Sequence, residues 1–161
     1  MASKLSTELA NRFKEVVLDG KWIAFTNYKE LLKDLNRTEA TTKVSTLNTI
    51  AALTFHINYY IEGVLQVLNG GPLDIKDKFS FDVPEINYEE DWQKLRARLI
   101  DNSEQFYEAI KQLSDKKIAS SFVKKEYGTY QKNLEGMIEH CYYHMGQISI
   151  IKKMVREGKS N

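Results

Sequence analysis

Histidine occurs three times in this 161-residue chain, as His56, His140 and His144, and all three fall inside segments of helical periodicity. His140 and His144 are four apart, so at about 100° per residue they return to nearly the same face, one turn apart. That spacing suits two imidazoles converging on one ion, with Zn–N bonds of about 2.0–2.1 Å. Relative to Cys141 on the apolar stripe, His140 lies about 100° and His144 about 60° to the same side. Both therefore flank the core, and Gln147 and Asn133 continue the polar line. His56 lies about 60° from Leu53 and about 40° from Tyr60, again on the flank of a stripe. Ala52 and Gly63 lie near its line and leave room beside the imidazole for an ion, a water or a substrate. If the two flanks face each other, three neutral imidazoles meet with at least one position open, as in a catalytic rather than a closed structural site. On spacing alone, hydrogen-bonded, half-buried histidines remain the alternative.

The neighbouring residues narrow the chemistry. H-E-x-x-H is excluded because Cys141 occupies the position that needs Glu. Glu139 points about 100° away from His140 and reads as a surface or interhelix carboxylate, while Cys141 reads as a packed core thiol. Tyr59, Tyr60, Trp22 and Tyr127 are available either to line a pocket or to pack the core. The sequence has no Ser-His-Asp set and no phosphate loop, so a bound ion that activates water or a thiol needs no separate nucleophilic side chain.

These residues must be positioned by helices. The periodicity predicts a first helix over about 6–18, with Leu9, Phe13, Val16 and Val17 inward and Asp19-Gly20 as its stop. A short helix is expected over about 27–35, and a long one over about 45–69 with Leu47, Ile50, Leu53, Ile57 and Ile61 inward, stopped by Gly70-Gly71-Pro72. A short extended piece fits 78–83. Asn87-Tyr88-Glu89-Glu90 reads as a capping box with Asn87 as cap, opening a third long helix that carries Trp92, Leu95, Leu99, Phe106 and Ile110. After a connection over 114–128, a last helix over about 129–156 carries a near-heptad stripe. Four long amphipathic segments imply an all-α four-helix bundle, because each buries its stripe only against the others.

Composition agrees. At 18.7 kDa the chain fits one domain, residues 1–161. Hydrophobic residues at 42% against 28% charged residues exclude general disorder. A formal charge of +1 gives no field that argues for nucleic acid or anionic membrane. No apolar run approaches a membrane span, and the amphipathic start does not read as a signal peptide. One cysteine allows no intrachain disulfide and points to a reducing cytoplasm.

The stretch Glu139-His140-Cys141-Tyr142-Tyr143-His144-Met145-Gly146-Gln147-Ile148 resembles the closing signature of the DinB/YfiT-like superfamily. Asn48-Thr49-Ile50-Ala51-Ala52-Leu53-Thr54-Phe55-His56-Ile57 resembles that family's segment carrying its first histidine. Asp19-Gly20-Lys21-Trp22 with Tyr28-Lys29-Glu30-Leu31-Leu32 resembles its link and short helix. The likeness covers nearly the whole chain. It implies a four-helix bundle with a long crossover between helices two and three, usually dimeric, and a divalent metal held by a histidine triad. Matched residue by residue, the ligands are His56, His140 and His144, and Gln147 matches the Gln of the motif. Some relatives are thiol-S-transferases using low-molecular-weight bacterial thiols, and others are mycothiol-dependent isomerases.

Two functions follow as expectations. One is a metalloenzyme in which a His₃-bound divalent ion, Zn or Ni first with Fe or Cu also open, activates water or a low-molecular-weight thiol for hydrolysis or thiol transfer on a small-molecule substrate. The other is a non-catalytic dimeric binding or stress-response module whose metal is structural or absent. A homodimer is expected on either reading. Trp92, Tyr88, Tyr107, Phe122, Tyr142 and Tyr143 exceed what one narrow core readily absorbs, so they either meet a partner or cover the connections over 72–86 and 114–128. The resemblance to a family with frequent dimers favours the partner.

Overall fold

The computed structural model describes residues 4–158. Its helices are α1 (Lys4–Lys14), α2 (Tyr28–Leu32), α3 (Arg37–Thr41), α4 (Ile50–Leu68), α5 (Glu89–Lys111), α6 (Asp115–Ala119) and α7 (Tyr130–Gly158). Among the described residues there is no strand, only an isolated bridge between Ser121 and Thr129. The chain is all-helical, as its periodicity predicts. α5 packs on α4 and α1, and α7 packs on α4 and α1 as well. The four long helices thus bury their stripes on one another, and Phe13, Ile57, Phe106 and Ile148 are fully enclosed between them.

The local chemistry sets the element ends, and several differ from expectation. α1 passes at Lys14 into a π-helical turn over Glu15–Asp19, closed where the Gly20 N–H donates to the Glu15 carbonyl. A side chain at Gly20 would collide with the Glu15 backbone, so space demands the glycine there. α4 begins at Ile50 instead of 45, because Thr49 Oγ1 accepts the Ala52 N–H at 3.1 Å and caps the helix. Residues 44–47 form a turn before it, which leaves Leu47 part-exposed outside the helix. The short helix expected over 27–35 is α2, which ends at Leu32, and a further short helix, α3, follows it because Asn36 and Glu39 form a reciprocal capping box. α5 is capped at Tyr88 and not at Asn87. The Asp91 carboxylate accepts both the Asn87 and Tyr88 N–H groups, which moves the helix start one residue on. The connection over 114–128 holds the extra helix α6, capped by Ser114.

The long connection over 69–88 matters most for function. Gly70, at φ +87°, stops α4. The extended piece expected over 78–83 is absent: Asp77–Phe79 is a 3₁₀ turn instead, formed as the chain folds back on α4. The space expected beside His56 at Gly63 is also filled, since a Cβ there would lie 2.5 Å from Ile75. Gly63 therefore lets the connection lie directly on the helix. Of the six surplus aromatics, Trp92 and Phe122 are buried, and only Tyr88 and Tyr143 stand exposed. Trp92 fits inside because its indole N–H donates to the Leu35 carbonyl at 2.7 Å. The largest exposed apolar side chains lie instead in the link before α2, where Trp22 is 83% and Phe25 88% exposed.

Replacing Gly63 by Val should push Ile75 off α4 and destabilise the protein by about 1–3 kcal/mol, as overpacking does. Urea unfolding measures the loss, and limited proteolysis should show new cleavage within residues 69–88. Unchanged stability and cleavage would refute the close packing of this connection.

Candidate metal centre

The two long helices that bear histidines pack against each other, and their flanks meet. His56 Nε2 lies 3.2 Å from His140 Nε2, and His140 Nε2 lies 2.9 Å from His144 Nε2. One ring nitrogen from each residue falls within 4.8 Å of the other two. Two nitrogens that share an ion at about 2.0–2.1 Å stand roughly 2.9–3.4 Å apart for angles between 90° and 109°. The observed separations of the two adjacent pairs lie in that interval, so the three histidines could hold one metal ion.

The outer ring nitrogens determine which way the lone pairs point. His56 Nδ1 lies 3.2 Å from the Ser80 carbonyl, which only accepts, so Nδ1 carries the hydrogen. His144 Nδ1 lies 2.6 Å from Gln147 Oε1, also an acceptor, so the same tautomer is assigned there. In both neutral rings Nε2 is then a bare lone pair turned toward His140. His140 Nε2 has at most one hydrogen to offer these two lone pairs. Hydrogen bonding among neutral imidazoles leaves one contact poorly matched, whereas a cation accepts all three. Acceptors behind the ligands are the usual means of fixing a metal-binding imidazole.

Burial pushes the pKa of all three rings below the ordinary histidine value. For His140, burial and the neighbouring charges of His144 and His56 bring it to about 4. For His56 the second cause is the charge of His144, and for His144 the Gln147 bond partly offsets burial. The cluster is therefore neutral at physiological pH, the form that coordinates.

Rings and a strap enclose the cluster. Phe81 stacks on His56 with centroids 4.0 Å apart, and Tyr60 meets His56 and His140 edge-on. Tyr143 meets His144 in the same way. The Tyr60 hydroxyl donates to Asp77 at 2.8 Å. Tyr59 donates to the Lys76 carbonyl and accepts from the Lys76 N–H. These two tyrosines tie residues 76 and 77 to α4, which delivers Ser80 and Phe81 to His56. On the other side Tyr28, buried in α2, donates to the Cys141 carbonyl at 2.7 Å beside His140.

Of the candidates from sequence, His56, His140, His144, Gln147 and Tyr60 come together, with Tyr59 one step removed. Trp22, Tyr127 and Asn133 form no hydrogen bond or ring contact with a histidine. Trp22 is held by its backbone N–H on Glu15, and the Asn133 amide donates to the carbonyls of Tyr127 and Thr129 at the start of α7. The polar line of α7 thus ends before Asn133, because the open carbonyls before the helix claim its amide. Cys141 is fully buried, and burial drives its thiol far up from the usual range, so it is a core thiol and not a ligand. Ser80, Phe81 and Asp77 were missed in the sequence. A backbone carbonyl acceptor leaves no residue-type signal, and Phe81 is only one of several apolar residues, with Leu73, Ile75, Phe79 and Val83, spread along that connection.

Residues 24–148 match the family model described as the DinB superfamily, a span that contains the three histidines and Gln147. No curated protein and no solved structure matches the chain.

The depressed pKa values have a thermodynamic consequence. Unfolded imidazoles protonate near 6.5, while His140 resists to about 4. Between those values the unfolded chain binds more protons, so stability falls as pH falls through that window. Thermal melts of the metal-free protein should show the midpoint dropping from pH 6.5 toward 4, with a shallower drop in His140→Gln. An identical drop in the variant would contradict the assignment.

Proposed function

This chain belongs to the DinB superfamily, and on that premise we propose that His56, His140 and His144 bind one divalent metal ion through their Nε2 atoms, at the centre of a metalloenzyme. The observation that carries the reading is the convergence of three Nε2 atoms with the Nδ1–H groups of His56 and His144 anchored behind them. A site of three neutral ligands leaves the ion its full charge and an open position. When bound, such an ion supplies Lewis acidity, lowering the pKa of water to about 7 or deprotonating a coordinated thiol. The reaction class is hydrolysis or transfer to a low-molecular-weight thiol. Zn or Ni is the first expectation for the ion, with Fe or Cu following.

The chain's own residues then have defined tasks. Ser80 and Gln147 hold the hydrogens of His56 and His144 on Nδ1, so that the Nε2 lone pairs stay inward. Phe81, Tyr60 and Tyr143 wall the centre and limit the approach of water. Cys141 takes no part, so a thiol reaching this centre comes from solution. We read the packing of α1, α4, α5 and α7 as a four-helix bundle with residues 69–88 as its long crossover, the support being that each long helix touches two others. A homodimer is part of the same proposal, and the exposed Trp22, Ile23 and Phe25 supply apolar surface of the kind interfaces use.

Elemental analysis of protein purified without a histidine tag should find one transition ion per chain. His56→Ala, His140→Ala and His144→Ala should each abolish stoichiometric binding with helical content preserved. Gln147→Ala should weaken affinity about 10–100-fold, the usual effect of removing an outer hydrogen bond. Full retention of metal by His56→Ala would refute the three-ligand site. Ester hydrolysis and thiol transfer measured with metal added and chelated test catalysis. A protein with no metal-dependent turnover whose melting temperature drops on chelation is a structural-metal module. Light scattering should give about twice the 18.7 kDa chain mass, and a monomer at micromolar concentration would refute the dimer.

A further inference from the structure

Beyond the histidines, along the same helix pair, lies a cavity of about 290 Å³ between the residues preceding α4 and the second half of α7. This is near the lower end of small-ligand pockets, roughly 300–1,000 Å³. Leu47, Leu53, Ile150 and Ile151 line it with a mostly apolar wall, and Gln147 lines its side toward the histidines. No histidine is among its lining residues, but two of them stand one helical turn from the cluster. Leu53 precedes His56 by one helical turn on α4, and Gln147 follows His144 by one turn on α7 while holding the His144 ring through Oε1. The amide nitrogen of Gln147 has no hydrogen-bond partner among the described residues, so the junction between cavity and cluster offers the two N–H donors of its NH₂ group.

Two features argue against the cavity being a mere packing defect. Ile150 is 59% exposed, and Leu47 is also part-exposed, although both could have been polar on a helix and a turn that face solvent. The expected course of α4 would have turned Leu47 into the core. The cap at Thr49 instead starts the helix later and leaves Leu47 in the turn before it, where it lines the cavity together with Ile150 and Ile151 of α7. The result is an apolar slot with one amide at its inner end, one residue away from an imidazole of the cluster.

We propose that this cavity is the tail subsite of the metal centre: it takes the short aliphatic chain of an acyl-type ligand whose oxygens reach the histidine-bound ion, with the Gln147 amide donating to an acyl oxygen at the junction. The inference rests on the metal-binding reading above and specifies the ligand class for that site. An aliphatic acyl group matches the wall, and an oxygen acceptor matches the unpaired amide. Residues Thr46 and Asn48 at the outer rim leave polar contacts for whatever the chain carries at its far end.

The test uses the full-length metal-loaded protein and straight-chain aliphatic hydroxamates from two to six carbons, which bind metal through their two oxygens, titrated calorimetrically. Affinity should rise about fourfold per added methylene until the slot is full, following the transfer free energy of a CH₂ group. Ile150→Asp, a substitution at an exposed position, should flatten this series, with metal content measured on the same sample to show an intact centre. Hydroxamates that bind with no dependence on chain length, or a series that Ile150→Asp leaves unchanged, would overturn the subsite while the metal centre stands. A chain that takes up no ion at all would overturn the metal reading, and the subsite with it.

Discussion

Three imidazole nitrogens facing one another, two of them with their lone pairs forced inward, form a contact that neutral side chains cannot balance by themselves. Several features of the fold near α4 and α7 hold that contact. The inward lone pairs exist because acceptors sit behind two of the rings, and the acceptors differ in kind. Gln147 is on the same helix as His144, three residues on, so regular α geometry alone brings it into reach. The Ser80 carbonyl belongs to a connection that follows α4 and must be brought back across the helix to reach His56.

That return depends on residues outside the histidine triad. Gly63 lets Ile75 rest on the helix, Tyr59 grips both backbone groups of Lys76, and Tyr60 holds Asp77. A connection that is irregular in the sense of secondary structure is thus fixed at three successive points before it reaches the site. Loosening any of these would free the His56 ring to rotate, which alters which nitrogen is protonated. Tyr60 also joins the two tasks, since its hydroxyl holds the connection while its ring edge packs on His56 and His140.

The parts of this arrangement that were legible in the sequence are those carried by helical periodicity. The i, i+4 pair His140 and His144, the position of His56 on a helix flank, and Gln147 one turn beyond all follow from about 100° per residue. Their convergence required only that α4 and α7 be neighbours. What was not legible depends on single capping and contact events. Thr49 shortens α4, the Asn36–Glu39 box starts an unexpected α3, and Asp91 caps α5 at Tyr88, choices decided by which of several nearby polar groups reaches the free N–H groups first. Gly63 read as empty space because a sequence does not say what a glycine faces. Asn133 read as part of the polar line of α7, yet its amide is claimed by carbonyls before the helix.

The chemistry available to the centre is limited as much by what lies beside it as by the ligands. Cys141, next to His140 in sequence, is turned into the core with its thiol held protonated by burial, so it neither competes for a soft metal nor attacks a substrate. The helix places it there because adjacent residues diverge by about 100°, sending one to the core and the other to the groove. Tyr28 reinforces the separation by donating to the Cys141 carbonyl, which fixes the turn on which both residues ride. On the proposed metalloenzyme reading, the nucleophile comes from solution, as water or a thiol, and not from Cys141. On the same reading, Gln147 and Leu53 on the cavity side and Phe81 and Tyr143 around the rings are the side chains that an incoming molecule would meet beside the histidines.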